Sequence, residues 1–217
     1  MLETFEIEAT APRSGSVIWM HGLGASNRDF ESLVPELATP HLRFVFPAAP
    51  VRAVTINGGA RMPAWYDILS FSDPPLREHE PDVREAATAI TELIEREIDR
   101  GVPASRIALV GFSQGAAMAL HVGLRSPRRL AGAAILSGYL LLPQRLQEER
   151  SPECRDLPLF FAHGSFDPTV PLTLGKLAYD RVAAEGYPAT FEEYPMQHSM
   201  CLEEAHALKR WLLEVID

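Results

Sequence analysis

Cysteine is nearly absent from this chain. Its 217 residues hold two, Cys154 and Cys201, and they do not form a Cys-x-x-Cys pair. A small scaffold stapled by disulfides is therefore excluded, and two free thiols in a reducing compartment are expected. No stretch reaches the roughly 18 apolar residues of a membrane span, so no stable membrane anchor is expected. The opening residues, MLETFEIEAT, carry neither a basic nor an apolar leader segment. That pattern predicts no signal peptide and a cytoplasmic setting. Basic clusters are also scarce. The formal net charge is −9, and the densest basic stretch, residues 125–129, is short enough to be a solvated helix end. An acidic surface repels phosphate backbones and anionic headgroups, which argues against a nucleic-acid partner. An H-E-x-x-H pattern is missing, as is any tight His/Asp cluster, so neither a metal nor a cofactor is expected.

What remains is an ordinary globular composition, 47% hydrophobic and 23% charged. It is enough to build a core in one domain spanning residues 1–217. Short β-type runs alternate with helical patterns, as in a mostly parallel α/β sheet with helices on both faces. Strands are expected at residues 4–9, 17–21, 43–47, 107–111, 131–136, 159–163 and 190–194. Runs such as IALVGF and LFFAH are apolar without alternation, the signature of strands covered on both faces. One helix opens near Pro81. It repeats Val83, Ala86, Ala87, Ile90, Leu93, Ile94 and Ile98 at helical spacing, then stops at Gly101. Others follow Ser113, follow Pro171, and fill residues 202–215. Residues 48–80, rich in proline and glycine, show no sustained period. A loop that long in a compact domain tends to be functional, so an excursion over the carboxyl edge of the sheet is expected.

Gly111-Phe112-Ser113-Gln114-Gly115 fits G-x-S-x-G. Five residues with three fixed are weak evidence alone. Here a buried strand, RIALVG, precedes them, and a helix with small residues, AAMALHVGL, follows. That context predicts a serine on a sharp strand-to-helix turn, exposed as a nucleophile at the positive end of a helix. A serine hydroxyl needs a base. In a fold of this kind the acid and then the histidine follow the serine, at the ends of later strands. His121 lies within the nucleophile's own helix, His163 precedes the acid, and His206 lies inside the last helix. His198, in PMQHSM, has the right place. Among the acids between Ser113 and His198, Asp167 stands just past the strand LFFAH, in HGSFDPTVP. It would accept the imidazole N–H and fix the tautomer. Negative charge on a carbonyl oxygen also needs donors already in place. The backbone N–H of Gln114 is one, and the glycine-bearing loop His21-Gly22-Leu23-Gly24-Ala25 offers the other at Leu23.

Taken together, MHGLGASNRDF, RFVFPAAPVRAVTINGG, AWYDI, GFSQGAAMAL, LSGYLLL, HGSFDPTVP and the MQHS loop resemble the small carboxylesterase and acyl-protein thioesterase family, the phospholipase/carboxylesterase group of α/β-hydrolases. These blocks run in the family's order over residues 17–205. TINGGARMPAWYDI is more similar to bacterial carboxylesterase members. The resemblance implies hydrolysis of short- to medium-chain acyl esters by Ser113, Asp167 and His198, with Leu23 and Gln114 as oxyanion donors. It also implies thioesterase or lysophospholipase activity in some members, and homodimers in some. Two departures stand out. Ala116 replaces a second glycine, and Phe166 takes a position where it would narrow the acyl pocket. Between Gly138 and the strand LFFAH only about twenty residues intervene, too few for a cap domain. The excursion, with Trp65 and Phe71, is therefore expected to form one wall of an open groove, with ordinary core as the equal alternative for Trp65. A non-catalytic binding module on the same fold is the remaining alternative.

Overall fold

The computed structural model describes residues 2–70 and 77–216. The chain begins with β1 (Thr4–Ile7), β2 (Gly15–Met20), the short α1 (Val34–Leu37) and β3 (Leu42–Pro47). The excursion contains β4 (Val51–Val54), β5 (Ala60–Pro63), β6 (Ile68–Ser70) and β7 (Arg77–Glu78). Then come α2 (Glu80–Asp99), β8 (Ile107–Phe112), α3 (Gln114–Arg125), β9 (Gly132–Leu136) and α4 (Leu146–Glu149). The chain ends through β10 (Leu159–Gly164), α5 (Leu172–Ala184), β11 (Ala189–Tyr194) and α6 (Leu202–Ile216).

Seven strands form one sheet in the order β1-β3-β2-β8-β9-β10-β11. β1 runs antiparallel to β3, and every other neighbouring pair is parallel. The apolar runs are explained by burial on both faces. In β2, Ile18 and Met20 enter one core with α2, α3 and α5, while Val17 and Trp19 enter the other with α1 and α6. In β8, Ile107 and Leu109 take the first side, and Ala108 and Val110 the second. Residues along these inner strands thus face a packed layer on either side, so their apolar runs show no alternation. This is the α/β-hydrolase arrangement, and no cap domain is inserted among the described residues. No helix among them is long and apolar enough to cross a membrane.

One charged cluster sits inside the first edge. The Arg43 side chain on β3 is 2% exposed and pairs with fully buried Glu97 of α2 (3.1 Å) and with Glu6 and Glu8. The Ser16 hydroxyl on β2 donates to the same Glu97 oxygen at 2.8 Å, and Arg100 reaches its other oxygen at 3.0 Å. The guanidinium thus meets a carboxylate in each direction, which is what makes burial of a charge tolerable.

The excursion departs from its expected irregularity. β4 and β5 form an antiparallel hairpin, and β6 pairs with β7. The hairpin is turned by Thr55–Asn57 and by Gly58 and Gly59, at φ 65° and 80°. Those left-handed values suit glycine. The strands are too short, and too exposed on one side, to show a period.

Candidate active site

Ser113 joins β8 to α3 with φ 56° and ψ −118°. This is a conformation of mirror-image turns that glycine normally supplies. The turn is tight enough that two glycines flank it. A Cβ on Gly111 would lie 2.2 Å from the Gly115 carbonyl oxygen, and one on Gly115 would lie 2.3 Å from that of Met20. The Ser113 N–H donates to the Leu136 carbonyl at 2.8 Å, which pins the turn to β9.

The other two residues arrive on loops after β10 and β11. Asp167 Oδ1 accepts the backbone N–H groups of Thr169 (2.8 Å) and Val170 (2.9 Å). Its Oδ2 accepts from His198 Nδ1 at 2.6 Å. His198 Nε2 lies 2.8 Å from Ser113 Oγ. The three residues make one hydrogen-bonded line across 85 residues of sequence. The loops that carry the acid and the histidine are laced together. Ser165 N–H donates to Tyr194 O (2.8 Å) and Phe166 N–H to Met196 O (3.1 Å). A Cβ on Gly164 would sit 2.4 Å from the Gln197 carbonyl oxygen, so only glycine permits that approach. His163 is buried behind the acid. It donates from Nε2 to Val170 O at 2.9 Å, and burial holds its imidazole below the ordinary range, as an uncharged strut.

Leu23 and Gln114 line the same space, and neither backbone N–H finds an acceptor among the described residues. The first N–H of a helix has none within the helix. The groove beside Ser113 holds about 310 Å³ and is lined by Leu23, Ile56, Asn57, Ile68, Tyr139 and Val170 among others. Ile56, Asn57 and Ile68 belong to the excursion, which therefore supplies one wall. Asp67 fixes that wall by accepting the Thr55 N–H (2.7 Å) and hydroxyl (2.6 Å).

Two expected wall residues lie elsewhere. Trp65 is fully buried behind the groove. Its indole N–H donates to His21 O at 2.8 Å, and its backbone N–H to Gln114 Oε1 at 2.8 Å. Buried there, the large ring leaves water while its one polar atom stays paired. Phe166 is 67% exposed and does not line the groove, because its backbone is drawn toward the Met196 loop. Phe71 lies outside the described residues.

Several groups at the site carry no signal in the sequence. The Gln114 amide clamps the excursion, accepting from Trp65 N–H and donating to Tyr66 O at 2.8 Å. The hydroxyls of Tyr66 and Tyr139 meet at 2.6 Å, and burial keeps both phenols from ionising. Beyond the His198 loop, in the first turn of α6, Glu204 is fully buried with neither carboxyl oxygen in a well-formed hydrogen bond. Burial, with Glu192 nearby, pushes it up to about 8. Among the described residues no group of three His, Cys, Asp or Glu is disposed to hold a metal ion.

A family model described as Phospholipase/Carboxylesterase matches residues 3–216. The chain belongs to that family. It is 39% identical to acyl-protein thioesterase 1 of Neurospora crassa, over 96% of this chain and 89% of the relative. It is 33% identical to acyl-protein thioesterase 1 of Cryptococcus neoformans, over 99% and 98%. The crystal structure of Zea mays acyl-protein thioesterase 2 superposes with a TM-score of 0.91 at 25% identity, covering 100% of both chains. As a member of the phospholipase/carboxylesterase family, the protein is a serine hydrolase acting on acyl substrates.

Proposed function

We propose that Ser113, His198 and Asp167 are the catalytic triad and that the protein cleaves short- to medium-chain carboxylic esters through an acyl-enzyme. The observation that carries this reading is the continuous line from Asp167 Oδ2 through His198 to Ser113 Oγ, at 2.6 and 2.8 Å. His198 takes the serine proton as Ser113 Oγ attacks the acyl carbon. The carboxylate of Asp167 steadies the imidazolium, and the N–H groups of Leu23 and Gln114 receive the oxyanion. The imidazolium then gives its proton to the leaving alcohol. Water, activated by the same imidazole, releases the acid in the second half. The apolar lining of Leu23, Ile56, Ile68 and Val170 suits an alkyl chain.

The thioester reading rests on the two fungal relatives, both named acyl-protein thioesterases. Both reactions pass through the same tetrahedral intermediate and differ in the leaving atom. A cytoplasmic setting is part of the proposal, supported by the two free cysteines.

The test is Ser113→Ala, assayed beside the wild type on matched ester and thioester pairs of increasing acyl length. A fall of roughly 10³–10⁶-fold in kcat is expected, and wild-type-like turnover would end the reading. The ratio of kcat/KM within each pair assigns the leaving atom.

A further inference from the structure

We infer that His21 is a positioning residue for the oxyanion site: its imidazole sets the plane of the Gly22–Leu23 peptide and thereby aims the Leu23 N–H. The inference rests on the proposed role of Leu23 as a donor.

The Gly22 carbonyl and the Leu23 N–H belong to one planar trans unit and point in opposite directions. His21 Nδ1 lies 2.7 Å from the Gly22 carbonyl oxygen, as donor to it. Holding the carbonyl from one side fixes the N–H on the other. That restraint is needed because residue 22 is glycine. A Cβ there would come within 3.3 Å of the Ser113 Cβ, beside the nucleophile. Glycine grants the approach but leaves the adjoining dihedrals free. The restraint has to come from outside the residue, and the imidazole supplies it.

The ring is itself held in the one tautomer that can do this. His21 Nε2 accepts the Ala49 N–H at 3.0 Å, so Nε2 carries no proton and Nδ1 does. Burial keeps the ring uncharged, in agreement with that assignment. The His21 carbonyl is tied by the Trp65 indole at 2.8 Å, and the Trp65 backbone by the Gln114 side chain at 2.8 Å. Gln114 owns the other oxyanion N–H. The two donors are thus joined by one circuit of hydrogen bonds, from the Gln114 amide through Trp65 and His21 to the Gly22–Leu23 peptide. A carbonyl that accepts a hydrogen bond also makes the N–H of its own peptide a better donor.

His21→Asn and His21→Gln separate the two ring nitrogens. Asparagine can place an N–H near the Nδ1 position and still donate to Gly22 O. Glutamine can place its oxygen near the Nε2 position and accept from Ala49, but leaves Gly22 O without its donor. Each variant is assayed for kcat and KM on a short acyl ester. Binding is measured for an alkyl boronic acid, whose tetrahedral adduct puts an oxygen in the site, and for a non-hydrolysable amide analogue of the ester. His21→Gln is expected to lose about 10–100-fold in kcat, less than outright removal of a donor, with KM within about threefold. Its boronic-acid affinity falls by a similar factor, while the amide analogue binds as before. His21→Asn recovers most of the kcat. Equal losses in the two variants, or a boronic acid bound as tightly by His21→Gln as by the wild type, would overturn the inference. Should His21→Gln fail to fold, Trp65→Phe, which removes the indole N–H together with part of the buried ring, must show the same split between kcat and KM. Ser113→Ala run alongside keeps the two levels apart: full activity there refutes the proposed site itself, whatever the His21 variants do.

Discussion

Asp167→Asn replaces one carboxylate oxygen with an amide, and the surroundings decide which one. The Oδ1 side faces two backbone donors, the N–H groups of Thr169 and Val170 at 2.8 and 2.9 Å. The asparagine oxygen must stay there, because an NH2 in that place would leave both donors unsatisfied at about 1–3 kcal/mol each. The NH2 is then turned toward His198 Nδ1. That nitrogen has to become an acceptor, so the imidazole proton moves to Nε2, which faces Ser113 Oγ at 2.8 Å. A protonated Nε2 cannot take the serine proton. Restoring the productive tautomer costs about 4 kcal/mol from the two donors alone, or about 10³ in rate at about 1.36 kcal/mol per decade. Loss of the negative charge beside the imidazolium adds to this, so kcat should fall by about 10³–10⁴-fold. KM should change little, since Asp167 lies behind the imidazole. Steady-state hydrolysis of a soluble chromogenic ester measures the loss, with circular dichroism to verify the fold. A decrease of less than about tenfold would refute the geometry argued here.

Glu204→Gln tests the buried acid of α6. The folded protein keeps Glu204 protonated up to about pH 8, whereas the unfolded chain ionises it near 4.5. Wild-type stability should therefore decline as pH rises between those values, by up to about 3 kcal/mol at pH 7. The variant should match the wild type at pH 4 and exceed it progressively above, with Glu78, pushed up to about 7 by burial, retaining part of the slope. Urea midpoints from pH 4 to 8 read this, and an equal difference at every pH contradicts it. Arg43→Met leaves fully buried Glu97 with only Arg100 and the Ser16 hydroxyl as partners and should cost up to about 3–5 kcal/mol, most of it recovered by adding Glu97→Met. A loss under about 1 kcal/mol in the single variant would show that the cluster contributes little. Ser113→Gly should be inactive yet more stable than Ser113→Ala by about 1 kcal/mol, since the turn's strain of about 1–3 kcal/mol exceeds the entropy cost of glycine. Thermal denaturation of the two variants decides it.

The sheet was legible because IALVGF and LFFAH are apolar on both faces, and only a doubly covered strand requires that. Ser113 was legible because a strand, two glycines and a helix of small residues leave one backbone path between them. Asp167 and His198 followed from chain order and from standing just past strands, and the structure brings both to Ser113. Trp65 stayed open between wall and core because an aromatic ring in a loop rich in proline and glycine looks the same as either. Its partners, the His21 carbonyl and the Gln114 amide, lie 44 and 49 residues away. Phe166 was misread for a similar reason: its direction depends on the Met196 carbonyl, a contact between two loops. The groove residues Ile56, Ile68, Tyr139 and Val170 come from separate segments, and no local pattern unites them. His21 reads in sequence as one more residue of a glycine turn, since its role depends on the Ala49 amide 28 residues on.

The three residues of the site do not hang on equally firm supports. Ser113 follows β8, which is flanked by β2 and β9 in the middle of the sheet. His198 follows β11, an edge strand, paired on one side only and half exposed along most of its length. A strand with one neighbour and little buried surface opens at lower free energy than the strands inside. Mild heating should thus detach His198 while the Ser113 turn is still intact. Turnover would then fade reversibly below the temperature at which the sheet melts, and the amide hydrogens of β11 would exchange with solvent well before those of β8.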